Sequence, residues 1–277
     1  CPNAIHLTDK YPNLTLDASA NISLSTYGKH WIDNLTGHII IDSLNVQNGS
    51  KQAIMEQMKL LVDNDIKNQK KHHRLQLQSD FVTANISGIF QYTTLLNTAQ
   101  RIIHGYVPSL VTAPKKINRQ PNELSFYAYF RQLETISEVL DLEISLPHYP
   151  TIKGYIDEQK EALELQAYIP NINTDGTNIK DLTIALNNPN EALDLSVYMY
   201  NCLPQNNPTA AKIGDVKGHI NVKAQDDKIG LQISLDNTDS VRNAGVINIS
   251  SKIARYADKP LFDIHVHPSD FLLNDSA

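Results

Sequence analysis

The residues best equipped for chemistry lie near the end of the chain, in Asp263-Ile-His265-Val-His267. On an extended strand Asp263, His265 and His267 share one face, and His-x-His is a metal-ligand spacing. A metal-dependent hydrolase would add ligands from other strand ends, on an α/β framework. The helices of such a framework are missing from the pattern, and Phe262, Ile264 and Val266 make the opposite face apolar. The trio therefore reads first as the wet face of a strand, and the hydrolase stands as a third reading. His72 and His73 point to opposite faces of a strand. Tyr127 and Tyr129 could stack on a sugar, but ordinary cross-strand packing explains them as well. The Asn-x-Ser/Thr sites at Asn13, Asn21, Asn34, Asn48, Asn85 and Asn248 are what an Asn- and Ser-rich chain contains by chance. No G-x-S-x-G, P-loop or dinucleotide fingerprint occurs. The expectation is a protein that is not an enzyme, with no catalytic residues, no metal and no cofactor.

The rest of the chain must then explain itself as a scaffold. It has 277 residues, a formal charge of -6, 41% hydrophobic and 19% charged residues. Asparagine is abundant, at 26, against 11 Gly and 13 Pro. Scarce glycine excludes a collagenous chain, and the ordinary apolar fraction excludes disorder. The acidic balance argues against nucleic acid. No apolar run approaches the roughly 18–20 residues of a membrane-spanning helix. The single basic run, with Lys67, Lys70, Lys71 and Arg74, reads as a solvated hairpin tip. Cys1 and Cys202 do not make a disulfide framework. Cys1 would be either the lipidated residue of a mature lipoprotein or the first residue of a fragment.

The dominant periodicity is two. Ile39 and Ile41, Leu75 and Leu77, then Leu124, Phe126, Ala128 and Phe130 alternate with polar residues. So do Leu163, Leu165, Ala167 and Ile169, then Leu182, Ile184 and Leu186. Leu193, Leu195, Val197 and Met199 follow, then Ile220 and Val222, then Ile229, Leu231 and Ile233. This is the pattern of strands with one buried face. Turns at Asn187-Asn188-Pro189-Asn190, Asp226-Asp227, Asn237-Thr238-Asp239 and Thr174-Asp175-Gly176-Thr177 divide the runs, and Asn, Asp and Gly suit such turns. The prediction is a mainly β chain, an antiparallel meander of about 14–18 strands. Leu35-Thr-Gly-His-Ile, Ile86-Ser-Gly-Ile-Phe, Ile152-Lys-Gly-Tyr-Ile and Val216-Lys-Gly-His-Ile repeat an apolar-x-Gly-x-apolar motif. Such recurrence suggests a stacked array.

One segment departs from this period. Leu95, Leu96, Ala99, Ile102, Ile103 and Tyr106 recur at spacings of three and four. They predict an amphipathic helix over 94–107 within a helical insertion at 92–111, capped by Thr93 or Thr94. A second short helix is predicted near Glu134 to Leu140. The stretch from Gln52 to Lys59 reads as strand. The remainder of 1–277 is one continuous elongated segment without separate globular domains. One helix is too little to cover some 16 one-sided strands. At about 4.8 Å per strand they would extend roughly 75 Å. A sandwich would fold this sheet into a block, and a curled sheet would leave an apolar groove; periodicity alone admits both.

The runs Leu77-Gln-Ser-Asp-Phe-Val-Thr-Ala-Asn-Ile-Ser-Gly-Ile-Phe90, His104-Gly-Tyr-Val-Pro-Ser-Leu110, Pro150-Thr-Ile-Lys-Gly-Tyr-Ile156 and Val266-His-Pro-Ser-Asp-Phe-Leu-Leu-Asn-Asp275 resemble the TamB-type translocation and assembly module proteins of Bacteroidetes. Cys1-Pro-Asn-Ala-Ile with Tyr11-Pro-Asn-Leu-Thr-Leu16 resembles an interior stretch of that family. The resemblance implies an internal fragment of a periplasmic protein anchored in the inner membrane and reaching the outer one. Its body would be a β-taco, a long curled sheet with an apolar lumen, related to the AsmA-like bridge lipid-transfer proteins. It implies phospholipid acyl chains as cargo, with flanking segments of the same chain and an outer-membrane assembly protein as partners. On that reading the alternating apolar residues named above line a lipid groove, and the 94–107 helix is a candidate gate. The second reading is a β-sandwich or solenoid that binds glycan or protein.

Overall fold

The computed structural model describes residues 14–29, 31–67, 69–115, 120–142, 144–174, 177–188, 192–204, 216–237, 243–257 and 259–272. Cys1, Asn13 and the turn residues expected at 175–176, 189–190 and 238–239 lie outside them. Of the described residues, 67% are in strands. Among these residues, seventeen strands form one antiparallel sheet that does not close.

The strands follow one another as a meander. They are β1 (Leu14–Ser25), β2 (Thr36–Asn48), β3 (Lys51–Met55), β4 (Met58–Lys67), β5 (Lys70–Ser79), β6 (Val82–Ile89), β7 (Glu123–Phe130), β8 (Ile144–Ser145) and β9 (Thr151–Asp157). Then come β10 (Ala162–Thr174), β11 (Thr177–Asn187), β12 (Leu193–Pro204), β13 (Val216–Gln225), β14 (Lys228–Asn237), β15 (Ala244–Tyr256), β16 (Lys259–Val266) and β17 (Asp270–Leu272). In three places two short strands share one neighbour: β3 and β4 on β2, β8 and β9 on β10, β16 and β17 on β15. Each such pair is one broken strand, so the seventeen strands fill fourteen positions across the sheet. The Gln52 to Lys59 stretch is strand as expected, interrupted at Glu56 and Gln57.

Register keeps the apolar residues in phase. Against β1, β2 pairs Ser43 with Ser19 and Ile41 with Ala20, leaving Asp42 as a bulge. That extra residue lets Ile39, Ile41, Leu44 and Val46 share a face that strict alternation would have split. The β13–β14 hairpin turns through Asp226 and Asp227, with φ of 52° and 58°. Two consecutive left-handed residues make the turn whose twist matches the flanking strands.

Among the described residues two α-helices interrupt the meander. A 3-10 turn (Tyr92–Thr94) leads into α1 (Leu95–Tyr106) between β6 and β7, and α2 (Leu133–Val139) joins β7 to β8. Both lie where the spacing predicts them. Two local expectations fail. Thr94 occupies the N-cap position, but its hydroxyl makes no cap hydrogen bond and donates instead to Gln91 O at 3.2 Å. The basic run is also not solvated throughout. Lys71 is half-buried, and its Nζ donates to Asp33 O at 2.8 Å and Asn34 Oδ1 at 2.6 Å.

The sheet is curled. The α1 segment is tied to the 3-10 turn that precedes β2 (Ile32–Asn34) through Thr93 Oγ1 and Asp33 Oδ2 (3.3 Å), and to β15 through Thr112 Oγ1 and Arg255 (3.0 Å). Strands β2 and β15 are eleven steps apart, roughly 53 Å in a flat sheet. The helix covers only about 18 Å of that, and the chain after it folds back in a turn at Val107 to Val111. Only curvature brings the two anchor points within reach.

Candidate functional site

The site is one continuous face. Following the pairing across the sheet, one row runs Leu24–Gly37–Val62–Leu75–Ile86–Phe126–Gly154, then Leu165–Leu186–Leu195–Val222–Leu231–Ile249–Val266. It crosses all fourteen positions without a polar residue. A parallel row runs Ile22–Ile39–Leu60–Leu77–Ala84–Ala128–Ile152, then Ala167–Ile184–Val197–Ile220–Ile233–Ile247. Every residue expected to line a groove lies on this face, Ile41, Leu124, Phe130, Leu163, Ile169, Leu182, Leu193 and Ile229 included. Among these twenty, Leu124 and Leu163 are buried and the others half-buried. The face is thus neither packed away nor flat to solvent. Buried apolar side chains gather instead in small clusters, such as Leu14, Ala53 and Val139 under α2, and Val107, Ala224 and Ile253 under the end of α1. Beside α2 an apolar cavity of about 320 Å³ is lined by Leu44, Val46, Met55, Met58, Phe81 and Ile136, among others.

The four recurring glycines, Gly37, Gly88, Gly154 and Gly218, also lie on this face. A Cβ on Gly154 would stand 2.4 Å from the Phe126 ring, and one on Gly88 would stand 2.2 Å from Glu123 O. Gly88 has φ of 150°, which other residues rarely adopt. The absent side chains let the ring of Phe126 lie across the neighbouring strand and let the face bend inward.

Helix α1 is fixed along the strand ends by a polar network. Asn122 is fully buried: its Nδ2 donates to Thr98 Oγ1 (2.7 Å) and Thr94 Oγ1 (3.1 Å), and its Oδ1 accepts from Gln91 N (2.9 Å). Glu158 Oε2 accepts from Thr98 Oγ1 (3.1 Å) and Asn122 N (2.9 Å), and Arg101 pairs with the same carboxylate. Farther along, Asp227 accepts from both Ser109 N and Ser109 Oγ at 2.8 Å. Of the helix residues expected to meet the groove, Ile102 is buried and Leu95, Ala99, Ile103 and Tyr106 are half-buried. Leu96 is the exception, 86% exposed. Its place on the inward side is taken by Thr98, which no apolar spacing could reveal.

The chemistry-bearing residues considered first are dispersed. His265 Nε2 lies 3.2 Å from Asp263 Oδ1, while His267 Nε2 is 2.7 Å from Ser250 Oγ; all stand on the outer face. Among the described residues no three His, Cys, Asp or Glu side chains are placed to hold a metal. Tyr129 stacks on Tyr149 at 5.6 Å with the Arg131 guanidinium 5.3 Å from its ring, and Tyr127 is exposed. Tyr198 lies flat against His219 at 3.9 Å. Tyr129 and Tyr198 thus use their ring faces on neighbouring side chains. His73, by contrast, is buried against Phe90 (5.1 Å) and Tyr92 (5.4 Å). Burial, and then the charge of Lys71, lowers its pKa from 6.5 to about 4.

Among the described residues no helix is long and apolar enough to cross a membrane. Comparison with protein-family models, with curated proteins and with solved structures returned no match.

Proposed function

We propose that this chain is a segment of a lipid-conducting groove in a bacterial cell envelope, as its resemblance to TamB-type proteins implies. The observation that supports it best is the apolar row running unbroken from Leu24 on β1 to Val266 on β16 along the inside of a curled, open sheet. An acyl chain in water costs about 0.8 kcal/mol per CH₂, so a 16-carbon chain crossing an aqueous gap faces a barrier on the order of 12 kcal/mol. A continuous wall of Leu, Ile, Val and Phe removes most of that. Because the row offers the same chemistry at every strand, the chain meets no deep trap and slides. Headgroups project through the open side. No nucleophile or metal is required, and direction is supplied from outside the segment. The phospholipid cargo, the periplasmic location, the inner-membrane anchor and the outer-membrane partner all follow from this reading.

The arrangement of α1 fits a fixed wall closing one side of the groove better than a moving gate, because opening it would strip partners from the fully buried Asn122 and Thr98. Native mass spectrometry of protein purified without detergent should show bound phospholipid. Photoreactive residues at Phe126, Leu165 and Leu231 should crosslink to lipid. A lipid-free spectrum together with silent probes at all three positions would remove the proposal.

A further inference from the structure

Helix α2 lies back over the apolar face at the margin opposite α1. Left-handed residues at its two ends, Gln132 and Asp141 with φ of 49° and 48°, reverse the chain sharply enough to bring it there. It is held from outside the face. Asn48 Nδ2 donates to Val139 O at 2.9 Å and to Asp141 Oδ2 at 3.1 Å, and Lys51 pairs with Asp141. Between the helix and the strand ends lies the apolar cavity of about 320 Å³. Its floor continues the groove: Met58 pairs with Ile41, Met55 with Leu44 and Ala53 with Val46. Leu44, Val46, Met58, Val82, Ile136 and Leu140 line it and are all half-buried, so their side chains keep surface to offer an occupant. Of the twelve residues around it only Ser79 is polar. Its hydroxyl is spent on Phe81 N (3.2 Å), Val82 N (3.0 Å) and Val82 O (3.3 Å). A cavity of about 150 Å³ with such a lining stays dry and takes benzene, so twice that volume admits one chain end of roughly a dozen carbons.

We propose that this cavity is a binding site for the terminal part of one phospholipid acyl chain. The inference rests on the groove reading, whose cargo it holds at one particular point. A peptide segment is the poorer occupant, because each of its residues would bring an N–H and a C=O against a wall without partners for them. An alkyl end brings neither. Met55 and Met58 are unbranched and flexible, so the wall adapts to straight and bent chains alike. On the open rows a chain meets apolar wall on one side. Beneath α2 it is enclosed on two, so each methylene buries more surface and the chain dwells there. The cavity sits at the margin rather than across the rows, so a chain at rest in it leaves the rows open to others.

Phosphatidylcholine vesicles whose lipid carries a diazirine either on the terminal acyl carbon or beside the ester carbonyl test it on the whole chain. The terminal diazirine should label the peptides containing Met58 and Ile136 about fivefold or more above the carbonyl-side one. Ile136→Phe and Val82→Phe, which fill the cavity from lid and floor, are each verified as folded by circular dichroism. Each should cut that labelling about fivefold, while lipid crosslinking from a photoreactive residue at Leu231 stays within about twofold. Calorimetric titration gives a second readout. A buried CH₂ is worth roughly threefold to fourfold in affinity, so dodecanoate should bind at least tenfold more tightly than octanoate and lose that advantage in Ile136→Phe. Equal labelling by the two diazirines, labelling unchanged in both filled variants, or equal affinity for the two fatty acids would each overturn the proposal. Dodecanoate binding without any lipid labelling beneath α2 would overturn it too, since the occupant is then not a phospholipid chain. So would a dimer that Ile136→Phe dissociates with labelling unchanged, since the occupant is then a second copy. Labelling at Leu231 with silence beneath α2 sinks the tail site and leaves the groove standing; silence at both removes both.

Discussion

At the scale of single residues, His73 carries the clearest pH signature. Its pKa of about 4 in the fold lies below the 6.5 of an exposed histidine, because burial and then Lys71 disfavour the charged ring. The unfolded chain therefore takes up the proton first as pH falls. The contribution is whole above about pH 6.5, declines through the window down to about 4, and is gone below it. The size is on the order of 3 kcal/mol. Urea unfolding at pH 7 and pH 4.5 should show this loss, and His73→Gln should flatten it. Equal losses in both proteins would place the titration elsewhere. The sequence places His73 opposite His72 correctly. Its burial was not legible, because that comes from Phe90 and Tyr92, which precede α1 and reach it only through the tertiary fold. Asn122 and Glu158 were missed for the same reason: a buried polar anchor has no periodicity to betray it.

At the scale of elements, period two and period 3.6 were enough to place most of the strands and both helices, while β8, β15 and β17 fall outside every alternating run read from the sequence. The hydrophobic signal tells which residues can share a face, and hydrogen-bonded geometry supplies the rest. It does not tell which side of a helix meets a polar network. Leu96 and Ile102 look equivalent in the helical stripe, yet one stands in water and the other is 4% exposed. Ile102→Ala should destabilise the fold by about 2–4 kcal/mol, and Leu96→Ala by less than about 0.5. Chemical denaturation measures both. Similar costs would mean that α1 is rotated relative to the arrangement described here. The bulge at Asp42 is the β counterpart. Ile39 and Ile41 are odd-numbered, Leu44 and Val46 even-numbered, and only a paired register reveals that they share a face.

For the whole molecule, the test is whether the two faces differ in function. Leu231 lies on the apolar row, and its neighbour Gln232 lies outside, donating to Asn248 Oδ1 at 3.0 Å. Leu231→Asp should abolish lipid crosslinking from Phe126, while Gln232→Asp should leave it within about twofold of the unmodified protein. Both variants need confirmation as folded, since a charge on the half-buried face is itself destabilising. Equal effects would mean that the face does not carry the lipid. The choice between sandwich and groove could not be made from alternation, because both need one-sided strands. It is decided by curvature, which follows from glycines on the inner face and from a helix tied at both ends.

The meander carries a further consequence for length. Each strand reverses the chain and moves its next connection to the opposite margin of the sheet. Adding one strand would shift everything downstream to the wrong margin, including any helix that must sit along a particular one. Adding two restores it. Such a protein can therefore be lengthened by duplication only in hairpin steps of about 10 Å. A lineage adapting to a wider or narrower gap between two surfaces would change its span in those increments, while the chemistry met along the way stayed the same.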